Sequence, residues 1–73
     1  MKRWRYSAHA LLRMDEREAT YAEVEETLAR PSAKRKAAER RTNYFRVIGG
    51  FTIRVTVVER IRVVVTVWKE PHP

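Results

Sequence analysis

No cysteine occurs among the 73 residues of this chain. Neither a disulfide framework nor a thiolate metal site is therefore available, and a reducing compartment, the cytoplasm, is the expected location. Long hydrophobic runs are missing as well: nowhere do about 18 apolar residues follow one another, which excludes a membrane-spanning helix. The opening Met1–Ser7 is basic but has no apolar segment behind it, so no secretory leader is expected. Glycine is confined to one adjacent pair, Gly49 and Gly50. A chain this short buries only about 60% of the surface that its unfolded form exposes. One domain over residues 1–73 is expected, with residues 69–73 as a frayed tail.

Acidic side chains are scarce in the second half. The formal net charge is +7. Residues 1–30 carry six basic and six acidic side chains, whereas residues 31–73 carry ten basic and three acidic ones. The whole excess lies after residue 30, which points to a polyanionic partner: nucleic acid first, an acidic protein second, an anionic membrane surface third. The plainer alternative is a solvated arginine-rich surface.

Along the chain, Lys2–Tyr6 alternates apolar and basic residues, a weak signal for a short strand. Ser7 sits where a helix N-cap belongs, and a first helix is expected from Ala8 to Arg17 or Glu18, burying Ala8, Leu11, Leu12 and Met14. Thr20 with Glu23 is a capping box that opens a second helix, whose buried side holds Tyr21, Val24 and Leu28 and which Pro31 ends. Together the two form a helical hairpin. Residues 32–43 read as a basic loop that feeds a strand.

After Asn43 the period becomes two. Tyr44–Ile48, Phe51–Val58 and Ile61–Trp68 are expected as consecutive antiparallel strands. With three-residue bulged hairpin loops, Phe45 and Val47 align with Phe51, Ile53, Val55 and Val57, and these with Ile61, Val63, Val65 and Val67, giving one wholly apolar face. The opposite face would then carry Tyr44, Arg46, Thr52, Arg54, Thr56, Arg62, Val64, Thr66 and Trp68. The fold class that follows is α+β, a two-helix hairpin on one face of a three- to four-stranded antiparallel sheet. On the outer face, Arg46, Arg54 and Arg62 suit phosphate, Thr66 a sugar or phosphate hydroxyl contact, and Tyr44 and Trp68 base stacking. A polar outer face is also the ordinary state of any one-sided sheet. An exposed edge at Tyr44–Ile48 would invite a second copy to pair there, giving a homodimer.

The polar pattern that a core alone does not require is on the first helix. His9, Arg13 and Arg17 recur every four residues, which puts an imidazole and two guanidiniums on one side. That combination suits an anion, above all phosphate. Asp15, Glu16 and Glu18 are alternative partners for the arginines. A metal site built from His9 and His72 lacks a third ligand, so neither metal nor cofactor is expected.

Three stretches carry a resemblance: Tyr6–Arg17 with its His-Ala and Arg-Met dipeptides, Thr20–Pro31, and Val63–Trp68 with its Thr-Val-Trp ending. In their order and spacing the chain resembles the family known as domain of unknown function 4258. The family commonly has glycine after the second arginine, where this chain has Glu18. That family is distantly similar to RelE/ParE-like and BrnT-like toxins, which set two helices against an antiparallel sheet and often cleave RNA without a metal. The resemblance implies a metal-independent endoribonuclease with His9, Arg13 and Arg17 as its catalytic side chains, RNA as substrate, an acidic antitoxin as partner and no membrane association. The alternative is a non-catalytic module that binds nucleic acid or an acidic partner, with His9 in a structural role.

Overall fold

Ser7 ends one element and begins the next. Its side chain accepts the Ala10 N–H at 3.0 Å as the N-cap of the first helix, and its hydroxyl donates to the Val65 carbonyl at 2.9 Å. Such a cap stabilises a helix by about 1 kcal/mol. In the computed structural model, which describes residues 3–73, this joint links β1 (Arg5–Tyr6) to α1 (Ala8–Arg17). Helix α2 (Tyr21–Ala29) follows, with both halves of the Thr20–Glu23 capping box formed. Then come β2 (Ala33–Lys36), β3 (Thr42–Ile48), β4 (Phe51–Val58), a single 3₁₀ turn (Glu59–Ile61) and β5 (Val63–Pro71). Lys2, expected at the start of the first strand, lies outside the described residues.

The class is α+β, but the sheet has five strands and is mixed, in the order β1-β5-β4-β3-β2. Two short strands extend the expected meander. Arg5 and Tyr6 pair parallel with Val63 and Val64, and the basic stretch Ala33–Lys36 pairs antiparallel with Thr42–Phe45. Strand β3 is therefore interior, and the edge expected at Tyr44–Ile48 does not exist. The true edge on that side is β2, whose lysines and arginine oppose pairing with another strand.

Register also differs from expectation. Gly49 and Gly50 both have positive φ (58° and 82°) and form a two-residue turn, so Ile48 pairs directly with Phe51. This is the primed turn that two adjacent glycines favour. It puts Tyr44 and Arg46 on the side of Ile53, Val55 and Val57, and turns Phe45 and Val47 outward. An arginine among valines is tolerated because Arg46 is satisfied there: Nε donates to Glu26 at 2.9 Å and Nη1 to the Arg30 carbonyl at 2.7 Å. In β5, Thr56 pairs with Thr66 but Val57 pairs with Val64, so Val65 is an extra, bulged residue. Val64 and Val67, three apart, are thereby both fully buried, while Ile61 is half exposed before the strand begins.

The helices lie on one face, α1 along β5 and α2 across β4 and β3. Between the layers sit Ala10, Met14, Val24, Leu28, Ile53, Val55, Val57, Val64 and Val67. Each fully buried valine or isoleucine contributes roughly 1.5–3 kcal/mol. Leu11 and Leu12, expected inside, are exposed, because α1 turns its small residue Ala10 and the flexible Met14 to β5 instead. Tyr21 is exposed as well, with its ring edge-on to Tyr6. Within the segment expected to fray, β5 runs to Pro71, and the His72 N–H donates to the Gly50 carbonyl at 2.9 Å.

Between the helices, Glu18 takes the left-handed conformation (φ 55°) that favours glycine. Its carbonyl accepts from Lys69 Nζ at 3.0 Å. Substituting glycine removes the Cβ penalty while keeping this backbone bond. Glu18→Gly is expected to raise Tm by about 3–5 °C in a thermal melt. Lys69→Ala should instead cost about 2 kcal/mol by urea unfolding, since it strands a partly buried Glu23 carboxylate.

Candidate nucleic-acid interface

Helical spacing lines up His9, Arg13 and Arg17 on the flank of α1 that runs beside β5. His9 is exposed. Arg13 Nε points at His9 Nε2 from 3.5 Å, and its Nη1 pairs with Glu16 at 3.0 Å. The Arg17 guanidinium lies 3.3 Å over the Trp68 ring. Trp68 belongs to the face of the sheet that the helices leave bare, since it pairs with Arg54, between Ile53 and Val55. Arg17 reaches it around the edge of β5, because among the described residues β1 pairs only with Val63 and Val64 and no strand covers that edge further on.

That contact makes the helix flank and the outer sheet face one surface. Across it, Arg54 approaches Trp68 from the neighbouring strand, 5.8 Å from the ring centre. Trp68 Nε1 donates to Glu70 at 2.6 Å. Thr66 pairs with Thr56, whose hydroxyl donates to Asn43 at 2.5 Å. Farther along, Thr52 Oγ1 lies 2.9 Å from His72 Nδ1. The arrangement offers cations for phosphate, one large ring for stacking and an imidazole at its rim.

Of the side chains expected on the outer face, Arg54, Thr66 and Trp68 are there, and Arg54 and Arg17 meet at the Trp68 ring. Tyr44 and Arg46 are not, because the glycine turn puts both on the helix side. Tyr44 is buried, its hydroxyl donating to the Glu59 carboxylate, with Trp4 edge-on to its ring and Lys34 Nζ 4.8 Å over it. Arg62 precedes β5 in a left-handed conformation and stacks over Trp4 at 4.1 Å. The Glu59 node was not read from the sequence, and its one signal is an isolated acid in a basic half. His72, read as part of a loose end, faces Thr52 because β5 is longer than its alternation implies.

Two carboxylates are tuned by their partners. The Tyr44 O–H holds Glu59 below the ordinary value of 4.5 against the opposing effect of burial, and Lys34 and Thr42 add to this. Burial and the Glu59 carboxylate push the Tyr44 hydroxyl up, and Tyr44 and Glu59 raise Lys34. Burial acts to raise Glu23, but the Thr20 N–H and the Lys69 ammonium outweigh it and hold the group below 4.5. The chain matches no family model, no curated protein and no solved structure.

A folded-state value below the unfolded one means stability that is complete above the unfolded pKa and lost as pH falls through the folded pKa. Urea midpoints are expected to hold from pH 7 to about 5 and then fall below about 4.5. Glu59→Gln should flatten part of that decline, and an unchanged acid limb would remove Glu59 as a cause.

Proposed function

We propose that this chain binds single-stranded RNA across the surface joining the His9–Arg13–Arg17 flank to Trp68 and Arg54. The observation that carries this reading is the Arg17–Trp68 stack, since it joins two cationic surfaces that are remote in sequence into one track. Guanidiniums beside an aromatic ring match what an unpaired nucleotide presents, a phosphate next to a base. The resemblance to domain of unknown function 4258, carried by His9, Arg13, Arg17 and Thr66–Trp68, points the same way through that family's distant likeness to toxin-type ribonucleases; Arg54 is not part of it.

A second reading adds cleavage, favoured by the Arg13–His9 contact. With Arg13 turned from His9 Nε2 onto the phosphate, that nitrogen takes the proton of a 2′-hydroxyl as its oxygen attacks the adjacent phosphorus. Arg13 and Arg17 stabilise the charge that builds on the phosphoryl oxygens. The bond to the 5′-oxygen breaks, that oxygen takes a proton from water, and a 2′,3′-cyclic phosphate remains. No metal enters this sequence of steps.

Fluorescence anisotropy with a labelled RNA oligonucleotide tests binding. Affinity should fall steeply with salt, and Arg17→Ala and Trp68→Ala should each weaken it about tenfold. A response flat in salt would rule out the RNA reading. For cleavage, His9→Ala should leave binding intact and reduce chelator-resistant strand scission by at least about 100-fold. Tight binding with RNA left whole by the unaltered chain would identify a non-catalytic module.

A further inference from the structure

Away from Trp68, two clefts open where β4 leaves the sheet. One is lined by Arg3, Glu59, Arg60, Ile61 and Arg62, the other by Lys36, Arg40, Arg41 and Thr42 together with the same Glu59 and Arg60. Glu59 does not neutralise them, because its carboxylate is already taken by Tyr44, Thr42 and Lys34. Among the described residues Lys36, Arg40 and Arg60 form no ion pair, and Arg41 reaches only the exposed Glu39, at 3.8 Å. Three cations, Lys36, Arg40 and Arg60, are therefore gathered at one end of the sheet with no ion-pair partner among the described residues.

The backbone there is costly. Glu39 and Arg40 both have φ of 61°, and the Arg41 N–H donates to the Ala38 carbonyl at 3.2 Å. This is a primed turn of the kind that asparagine followed by glycine makes without strain. Here its central positions are a glutamate and an arginine, and that strain is the kind of outlier from which a functional hypothesis starts. Holding Arg40 and Arg41 at the mouth of the cleft opposite Arg60 gives the strained turn a purpose.

We infer that the two clefts form one site for a pair of adjacent phosphate groups, with Arg60 between them and Arg40, Arg41 and Lys36 on the far wall. Arginine forks suit paired phosphate oxygens, and the partly open clefts admit them from water. For the source of the phosphates the inference rests on the RNA reading above: Arg54 and Val58, the residue before Glu59, are both on β4, roughly 13 Å apart at about 3.3 Å per residue, so one RNA strand can touch Trp68 and this site together.

Pyrophosphate is the probe. Titrated into the whole chain, it should shift the amide resonances of residues 37–42 and 59–62, and Arg60→Ala and Arg40→Gly should each weaken it about tenfold. Arg40→Gly relaxes a left-handed residue and should raise Tm while it lowers affinity, which separates lost binding from lost folding. With RNA, each variant should reduce the magnitude of the slope of log affinity against log salt by about 0.7 per phosphate contact removed. Pyrophosphate binding unaffected by either substitution, or shifts elsewhere in the chain, would overturn the site. Pyrophosphate binding that needs Arg60, beside an RNA salt slope that ignores it, would retain the site and assign it to a free oligophosphate. Loss of RNA affinity in Trp68→Ala, with both cleft variants unchanged toward RNA and pyrophosphate alike, would keep the RNA reading and end this one.

Discussion

Lys69 holds the helices to the sheet. Its ammonium, with only 12% of the side chain exposed, donates to the Glu18 carbonyl in the turn between the helices and to both oxygens of Glu23. Glu23 also accepts the Thr20 N–H, so one carboxylate belongs both to the cap of α2 and to the anchor on β5. A charge this shielded is stable only with its partners in place. Lys69 therefore sets where the end of α1 falls along β5, and with it the reach of Arg17. The stack on Trp68 follows from an ion pair on the opposite face of the same strand.

Local chemistry was the legible part of the sequence. Ser7 and Thr20 with Glu23 mark the helix starts through hydrogen bonds made within a few residues, and α1 ends at Arg17 as its pattern implies. His9, Arg13 and Arg17 share a flank because helical geometry alone dictates it. What depends on distant partners was not legible. The face of β3 depends on whether Gly49-Gly50 makes a two-residue turn, which sets Arg46 beside Ile53 in need of a partner that its own strand does not offer. Glu26 and the Arg30 carbonyl, some twenty and sixteen residues away, supply one. The Val65 bulge likewise breaks the period of two in a run of valines that offers no sign of where.

Burial of α1 was misjudged for a related reason. Its leucines are its most apolar residues, yet Ala10 meets β5, and Leu11 and Leu12 are left to water. Ser7 fixes the helix at its start and Lys69 fixes the turn that follows it, so the roll between them is decided by polar bonds. Hydrophobicity sets the stripe only when nothing stronger orients the helix. In this chain the polar anchors act first, and the arginine flank stands beside β5 as a result.

The parallel pairing of Arg5 and Tyr6 with Val63 and Val64 joins segments separated by most of the chain. Closing so long a loop delays folding, because its entropy cost precedes any gain from the contact. During synthesis α1 is made before β5, the strand it rests on. Arg17 therefore has no ring to stack on until β5 has been made, and the joined surface forms only with that late strand.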